Sequence, residues 1–282
     1  MYRKHFGLAR NPFDITPDPY FLFPTPKHNE ALASLYYGVQ RQMGFVVLTG
    51  EVGTGKTLML RCVMELLSRC HTEFAYVFNT MLSPIEFLQY VAGDFGLPAV
   101  ESKGQLLVQL NRFLIERHQR GLATALIVDE GQLLTWEVLE EIRLLTNLEN
   151  SRKKLLQILL VGQPELEQKL ESVELRQLKQ RIALRCRLES LTLPETAQYI
   201  YRRLHLAGAN GRGRTLFPED SIGSVFEHSK GVPRLVNTIC ENALIAAYGR
   251  QLNTVSKEII HEIAADFHLL PMDAPGVEVT TR

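Results

Sequence analysis

Residues 45–57 read Phe45-Val46-Val47-Leu48-Thr49-Gly50-Glu51-Val52-Gly53-Thr54-Gly55-Lys56-Thr57. The apolar run from Phe45 to Leu48, halted by glycines, reads as a strand buried on both faces of a parallel sheet. Behind it, the residues from Gly50 to Thr57 spell G-x-x-x-x-G-K-T. Glycine lets the backbone wrap tightly enough for successive N–H groups to face phosphate oxygens. In this cradle of Gly50, Glu51, Val52, Gly53, Thr54, Gly55, Lys56 and Thr57, the Lys56 ammonium reaches the β- and γ-phosphates of a nucleotide. The Thr57 hydroxyl holds Mg²⁺. The helix that opens near Thr57 is apolar at Leu58, Leu60, Val63, Leu66 and Leu67. Its positive dipole end faces the same anion, and Leu58 completes the binding stretch.

Leu126-Ile127-Val128-Asp129-Glu130 supplies the other half of such a site. In an open parallel sheet, ligands bind at the carboxyl ends of the strands, where both segments end. Asp129 holds the metal, directly or through water, and Glu130 polarises the attacking water. Leu160-Val161-Gly162-Gln163-Pro164 ends another strand in an amide. Gln163 either senses the γ-phosphate or the water, or caps the next helix. Gly231-Val232-Pro233-Arg234 opens a later helix, and Arg234 either swings onto the γ-phosphate or lies on the surface. Between Arg176 and Arg187, Arg181 is the first choice, and Arg176 the second, for an arginine acting in trans on a neighbouring subunit's nucleotide. A solvated basic face is the competing reading. Arg202, Arg203, His205, Arg212 and Arg214 read either as a contact to DNA phosphates or as a charged surface.

Strand patterns at 45–48, 74–78, 123–128, 155–161 and 182–188 alternate with helical ones at 28–43, 103–119 and 135–149 and with the helices after Thr57 and Ser83. That alternation predicts an α/β fold, a parallel sheet covered on both faces. After Leu188 no strand pattern follows, and helices are expected to about 207 from Thr192, then at 218–229, 232–248 and 256–268. Ser83-Pro84-Ile85-Glu86 and Thr192-Leu193-Pro194-Glu195 both carry the S/T-x-x-E capping box with proline inside. The expected organisation is a Pro- and aromatic-rich N-terminal segment at 1–30, pinned and not helical; a nucleotide-binding domain at 31–190; a helical lid at 191–268; and a frayed tail at 269–282.

Lys+Arg and Asp+Glu are equal at 31 each in 282 residues, so net charge is zero. This excludes a globally basic nucleic-acid coat but not a local patch. No apolar run approaches a membrane span, and the N-terminus lacks the pattern of a signal peptide. The four cysteines form neither a CxxC pair nor a zinc spacing with histidine, which suits a reducing cytoplasm and buried or semi-buried free thiols. The eight histidines show no H-x-x-x-H spacing, and no G-x-S-x-G elbow is present.

Taken with Asn11-Pro12-Phe13, Pro17-Asp18-Pro19, the segment from Arg143 to Glu149, the segment from Leu159 to Leu166, the segment from Leu175 to Ile182 and Gly231-Val232-Pro233-Arg234-Leu235-Val236-Asn237, these motifs resemble the AAA+ ATPases. Within them the chain resembles the ExeA/GspA-like group over residues 1 to 268. The resemblance implies a P-loop NTPase αβα sandwich followed by an all-helical AAA+ lid, ATP and Mg²⁺ as cofactors, and a nucleotide-dependent homo-oligomer, usually a ring. It places the Asn11–Phe13 segment near the adenine. Secretion members of the group help assemble a type II secretion channel and carry a transmembrane helix and a periplasmic domain after the ATPase. This chain ends at 282 with neither, so the expectation is a cytoplasmic ATPase without a membrane span. It would act on an unidentified protein partner of an envelope machine. The group also resembles the TniB-type transposition ATPases, which makes a DNA-bound regulator the alternative. Gly131 stands where relatives usually carry alanine, and the resemblance implies a looser turn there.

Overall fold

Five strands pair in parallel into one sheet: β1 Phe45–Gly50, β2 Glu73–Val77, β3 Thr124–Val128, β4 Gln157–Gly162 and β5 Ile182–Leu188. Their order across the sheet is β2-β3-β4-β1-β5. The computed structural model describes residues 1–79, 81–149 and 153–269. In chain order the helices are α1 Tyr2–Phe6, α2 Pro26–Gln40, α3 Lys56–Arg69, α4 Pro84–Asp94, α5 Lys103–Gln119, α6 Trp136–Leu145, α7 Pro164–Leu170 and α8 Arg176–Lys179. Then follow α9 Leu193–Leu206, α10 Gly213–Leu216, α11 Glu219–Ser229, α12 Pro233–Gly249 and α13 Lys257–Asp266.

Strand side chains alternate between the two faces of the sheet. Phe45, Val47, Leu126, Val128, Ile158 and Leu160 pack under Phe87, Leu110, Leu114 and Ile142 from α4, α5 and α6. Val46, Leu48, Ala125, Ile127, Leu159 and Val161 pack under Leu35, Val39, Leu60 and Leu67 from α2 and α3. The result is an αβα sandwich. Because β1, β3 and β4 are buried throughout, they read as unbroken apolar runs. Edge strand β5 alternates instead, which is why it carries Arg185 and Arg187 on its open positions.

The chain divides into two compact units. The sheet unit comprises Pro24–Val52 and Lys56–Glu189. The helical unit comprises Met1–Phe23, Gly53–Gly55 and the stretch from Ser190 on. In the helical unit Phe6, Phe13, Ile200, Leu204, Phe217, Val225, Ile239, Leu244 and Ile260 form one core. Both capping boxes are closed in full, Ser83 with Glu86 on α4 and Thr192 with Glu195 on α9.

Four expectations are corrected. The N-terminal segment is not free of helix, because α1 forms before the prolines begin, and Pro26 occupies the first turn of α2, where a missing N–H costs nothing. The stretch between the helices expected to about 207 and from 218, left without a helix, holds the short α10. Arg203 does not belong to a basic surface: it is 5% exposed. Its guanidinium donates to Pro12 O, Tyr199 Oη and Asp14 O and lies over the rings of Phe21 and Tyr199. Arg202, His205, Arg212 and Arg214 are exposed. All four cysteines are free, and Cys70, expected to be at least half-buried, is exposed, with Sγ 3.1 Å from Tyr36 Oη. The tail from residue 270 lies outside the described residues.

Candidate active site

β1 and β3 are separated in the sheet by β4, so three strand ends deliver the site residues to one edge. After β1 the loop turns through Gly53 at φ +84° and Gly55 at φ +101°, values that side chains other than glycine rarely adopt. α3 then starts at Lys56. The Lys56 ammonium, 7% exposed, donates to Gly50 O at 2.7 Å and Glu51 O at 3.0 Å. Burial pulls its pKa down, and the charges of Glu130, Asp129, Glu51 and Glu165 oppose that shift. A buried ammonium facing several carboxylates is a ready counter-ion for a polyphosphate. Thr54 is buried, Val52 and Glu51 are exposed, and Leu58 is half-buried.

At the end of β3, Asp129 Oδ2 lies 3.4 Å from Thr57 Oγ1 and accepts from Tyr76 Oη at 3.3 Å. Its Oδ1 accepts the Glu130 N–H at 2.9 Å. Burial raises the Asp129 carboxyl, the Glu130 N–H opposes that, and the Glu130 charge adds to it. Burial and Asp129 together push Tyr76 up to about 12. A hydroxyl and a carboxylate side by side are hard oxygen donors of the kind that Mg²⁺ takes, so the residues present fit that ion.

Glu130 stands in the left-handed region, at φ 52° and ψ 37°. For a residue with a side chain this costs about 1–2 kcal/mol. It turns the carboxylate away from the line of the strand toward the end of β4. There Glu130 Oε2 accepts from Gln132 Nε2 at 2.6 Å and from Gln163 Nε2 at 3.4 Å. Gln132 Oε1 in turn accepts the Gln163 N–H at 3.0 Å. Gln163 therefore meets the general-base candidate itself. Gln132 was missed by sequence reasoning, although the polar residue two places beyond Glu130 was its signal. Tyr76 was missed too, because an aromatic near a strand end reads as core.

The remaining candidates are placed as follows. Arg181 donates to Thr146 Oγ1 at 2.7 Å in the sheet unit, and Arg176 is exposed. Arg234 is exposed at the first turn of α12, and its N–H donates to Gly53 O at 3.2 Å. Asn11 Nδ2 donates to Asp14 Oδ1 at 3.2 Å. Phe13 is 0% exposed and stands edge-on to Phe217, so its ring offers no open face to a base.

Comparison with known proteins agrees with this geometry. Residues 39–170 match the family model described as AAA domain. The chain is 42% identical over 279 residues, 98% of its length, to general secretion pathway protein A of Aeromonas hydrophila. The chain thus carries an AAA domain and is similar to the ExeA/GspA-like group of AAA+ ATPases. It spans about half, 49%, of that curated relative. Among solved structures, this AAA+ chain superposes on the Aeropyrum pernix ORC2 protein with TM-score 0.67 and 18% identity, covering 92% of this chain and 72% of that one. Cdc6p from Pyrobaculum aerophilum gives TM-score 0.67 at 17% identity, covering 89% and 70%. The RuvB Holliday junction branch migration motor of Thermotoga maritima gives 0.56 at 14%, covering 86% and 69%. These likenesses show the fold of the AAA+ chain. No helix among its described residues is long and apolar enough to cross a membrane.

Proposed function

We propose that this AAA+ chain hydrolyses Mg²⁺-ATP with Glu130 as general base and uses the cycle to assemble or remodel an envelope secretion machine. The observation that carries the chemistry is the Glu130 carboxylate, held by two amides beside the Asp129–Thr57 pair. Lys56 exchanges the Gly50 and Glu51 carbonyls for β- and γ-phosphate oxygens. Thr57 and Asp129 hold Mg²⁺, which when bound offsets phosphate charge. Gln132 and Gln163 occupy Oε2 of Glu130 and leave Oε1 to take the proton of the attacking water. Arg234 reports the γ-phosphate, and a neighbouring copy's Arg181, or Arg176, completes the site in an oligomer. Such an arginine raises phosphoryl transfer by about 10³–10⁵, so assembly gates hydrolysis. The placement of the Asn11–Phe13 segment near the adenine belongs to the same reading. Since the Phe13 ring is enclosed, Asn11 and the segment's backbone are what it offers a base.

The secretion role rests on the 42% identity to general secretion pathway protein A, and a cytoplasmic site of action is part of the same proposal. The transposition alternative has no comparable support, and it loses Arg203 from the basic cluster. Glu130→Gln tests the chemistry. It keeps nucleotide affinity and lowers multiple-turnover phosphate release by about 10²-fold or more; unchanged turnover removes Glu130 from the mechanism. Replacing the matching half of the Aeromonas hydrophila protein with this chain tests the partner. Secretion is restored by the native chain and not by its Glu130→Gln form.

A further inference from the structure

We propose that the helical unit carries a second cation site, for a zinc-class divalent ion, formed by Glu227 and His228 of α11 and His261 of α13. One ligand atom from each of the three lies within 4.8 Å of the others. His228 Nε2 and His261 Nδ1 face each other at 2.8 Å, with their rings nearly perpendicular.

The outer partners of the two rings are compatible with tautomers that leave both inner nitrogens bare. His228 Nδ1 lies 3.0 Å from Leu269 O. A carbonyl only accepts, so Nδ1 carries the hydrogen and Nε2 keeps its lone pair. Ser224 Oγ donates its one hydrogen to Asp220 O at 3.3 Å. It therefore meets His261 Nε2, 3.5 Å away, as an acceptor. With its hydrogen on Nε2, toward that oxygen, His261 leaves Nδ1 bare. Two lone pairs pointing at each other over 2.8 Å repel unless a positive centre lies between them, and Glu227 adds a carboxylate at the same point.

Two imidazoles and a carboxylate, with water in a fourth position, are a zinc donor set. Ring N–H groups directed at a carbonyl and a hydroxyl are the orienting partners that metal-bound histidines carry. Tetrahedral ligation at about 2.0–2.1 Å opens the two nitrogens to roughly 3.3 Å. That is a small shift for His261, which is exposed. The ion ties α11 to α13 and, through the His228 ring, to the Leu269 carbonyl. No spacing in the sequence announces it, since His228 and His261 lie on different helices.

Calorimetric titration of the full chain, stripped with chelator, with zinc sulfate tests this. One equivalent of Zn²⁺ binds, His261→Ala abolishes it, and Ser224→Ala weakens it by about 10–100-fold through the lost orienting bond. Cys70→Ser, which removes the exposed thiol, leaves it intact. Cobalt in place of zinc gives visible bands without thiolate charge transfer. ATP affinity is unchanged in His261→Ala, which shows that the variant is folded. Zn²⁺ uptake that survives His261→Ala overturns the proposal. So does absence of uptake with a shared proton between the two rings in ¹⁵N spectra.

Discussion

The side-chain amide of Gln132 bridges Glu130 and Gln163: its Nε2 donates to Glu130 Oε2 at 2.6 Å, and its Oε1 accepts the Gln163 N–H at 3.0 Å. The bridge ties the end of β3 to the end of β4 and sets where the carboxylate points. A Cβ on Gly162 would come within 2.8 Å of Gln132 Oε1, so the amide has little room to wander. Gln132 acts through Glu130 and Gln163 and is a positioning residue. Gln132→Ala is expected to lower kcat for ATP about tenfold to hundredfold with KM little changed. Steady-state phosphate release over a range of ATP concentrations separates the two constants. A rise in KM at constant kcat would place Gln132 in binding instead.

Gly131 opens the 3-10 turn after Glu130 and lies against β4. A Cβ there would stand 2.7 Å from Leu160 Cδ1 and 3.2 Å from Val161 O. The glycine, expected to loosen the turn, lets it seat directly on the strand. Gly131→Ala is expected to cost about 1–3 kcal/mol, the range for overpacking a filled core. Leu160→Val removes the offending methyl, so the double variant should lose less than the two single changes added together. Urea melts of the four proteins give the coupling. Strict additivity would mean that Leu160 is not what the new methyl meets.

The sheet and the phosphate loop were legible because their physics is local. An unbroken apolar run such as Leu126–Val128 has few alternatives to a buried strand, and Gly53 and Gly55 mark a turn that other residues rarely make. α1, α8 and α10 were not legible, being little more than one turn long, too short for a 3.6-residue period to register. Arg203 looked like a surface charge because its partners, Pro12 O and Asp14 O, lie some 190 positions earlier in the chain. Gln132 stood in plain view, but only the left-handed turn at Glu130 brings the carboxylate within its reach.

Arg203 makes its own prediction. Its planar fork serves Pro12 O, Tyr199 Oη and Asp14 O together and stacks on Phe21 at 4.6 Å. Lysine keeps the charge but neither the fork nor the stacking plane. Arg203→Lys is expected to destabilise the helical unit by about 2 kcal/mol, the scale of a lost hydrogen bond to a charged group. Because the lost partners lie on the N-terminal segment, limited proteolysis should cut near Pro12–Asp14 faster in the variant. Equal cleavage rates would mean that the Phe13–Phe217 contact alone holds the segment.

Glu241 on α12 accepts from Tyr2 Oη at 2.7 Å through Oε1, while its buried Oε2 finds no hydrogen-bond partner among the described residues. Burial raises the carboxyl above its ordinary value of 4.5, the Tyr2 bond opposes this, and the Asp14 charge adds to it. The folded chain therefore holds this proton more tightly than the unfolded one. Stability contributed by the group is present below 4.5 and lost as pH rises through the folded value. Glu241→Gln keeps an oxygen for Tyr2 and removes the titration. The variant should be more stable than the native chain at pH 7, with the advantage shrinking as pH falls toward 4.5. Urea midpoints measured across that range for both proteins decide it. Parallel curves would mean that the carboxyl titrates alike in the folded and unfolded chains.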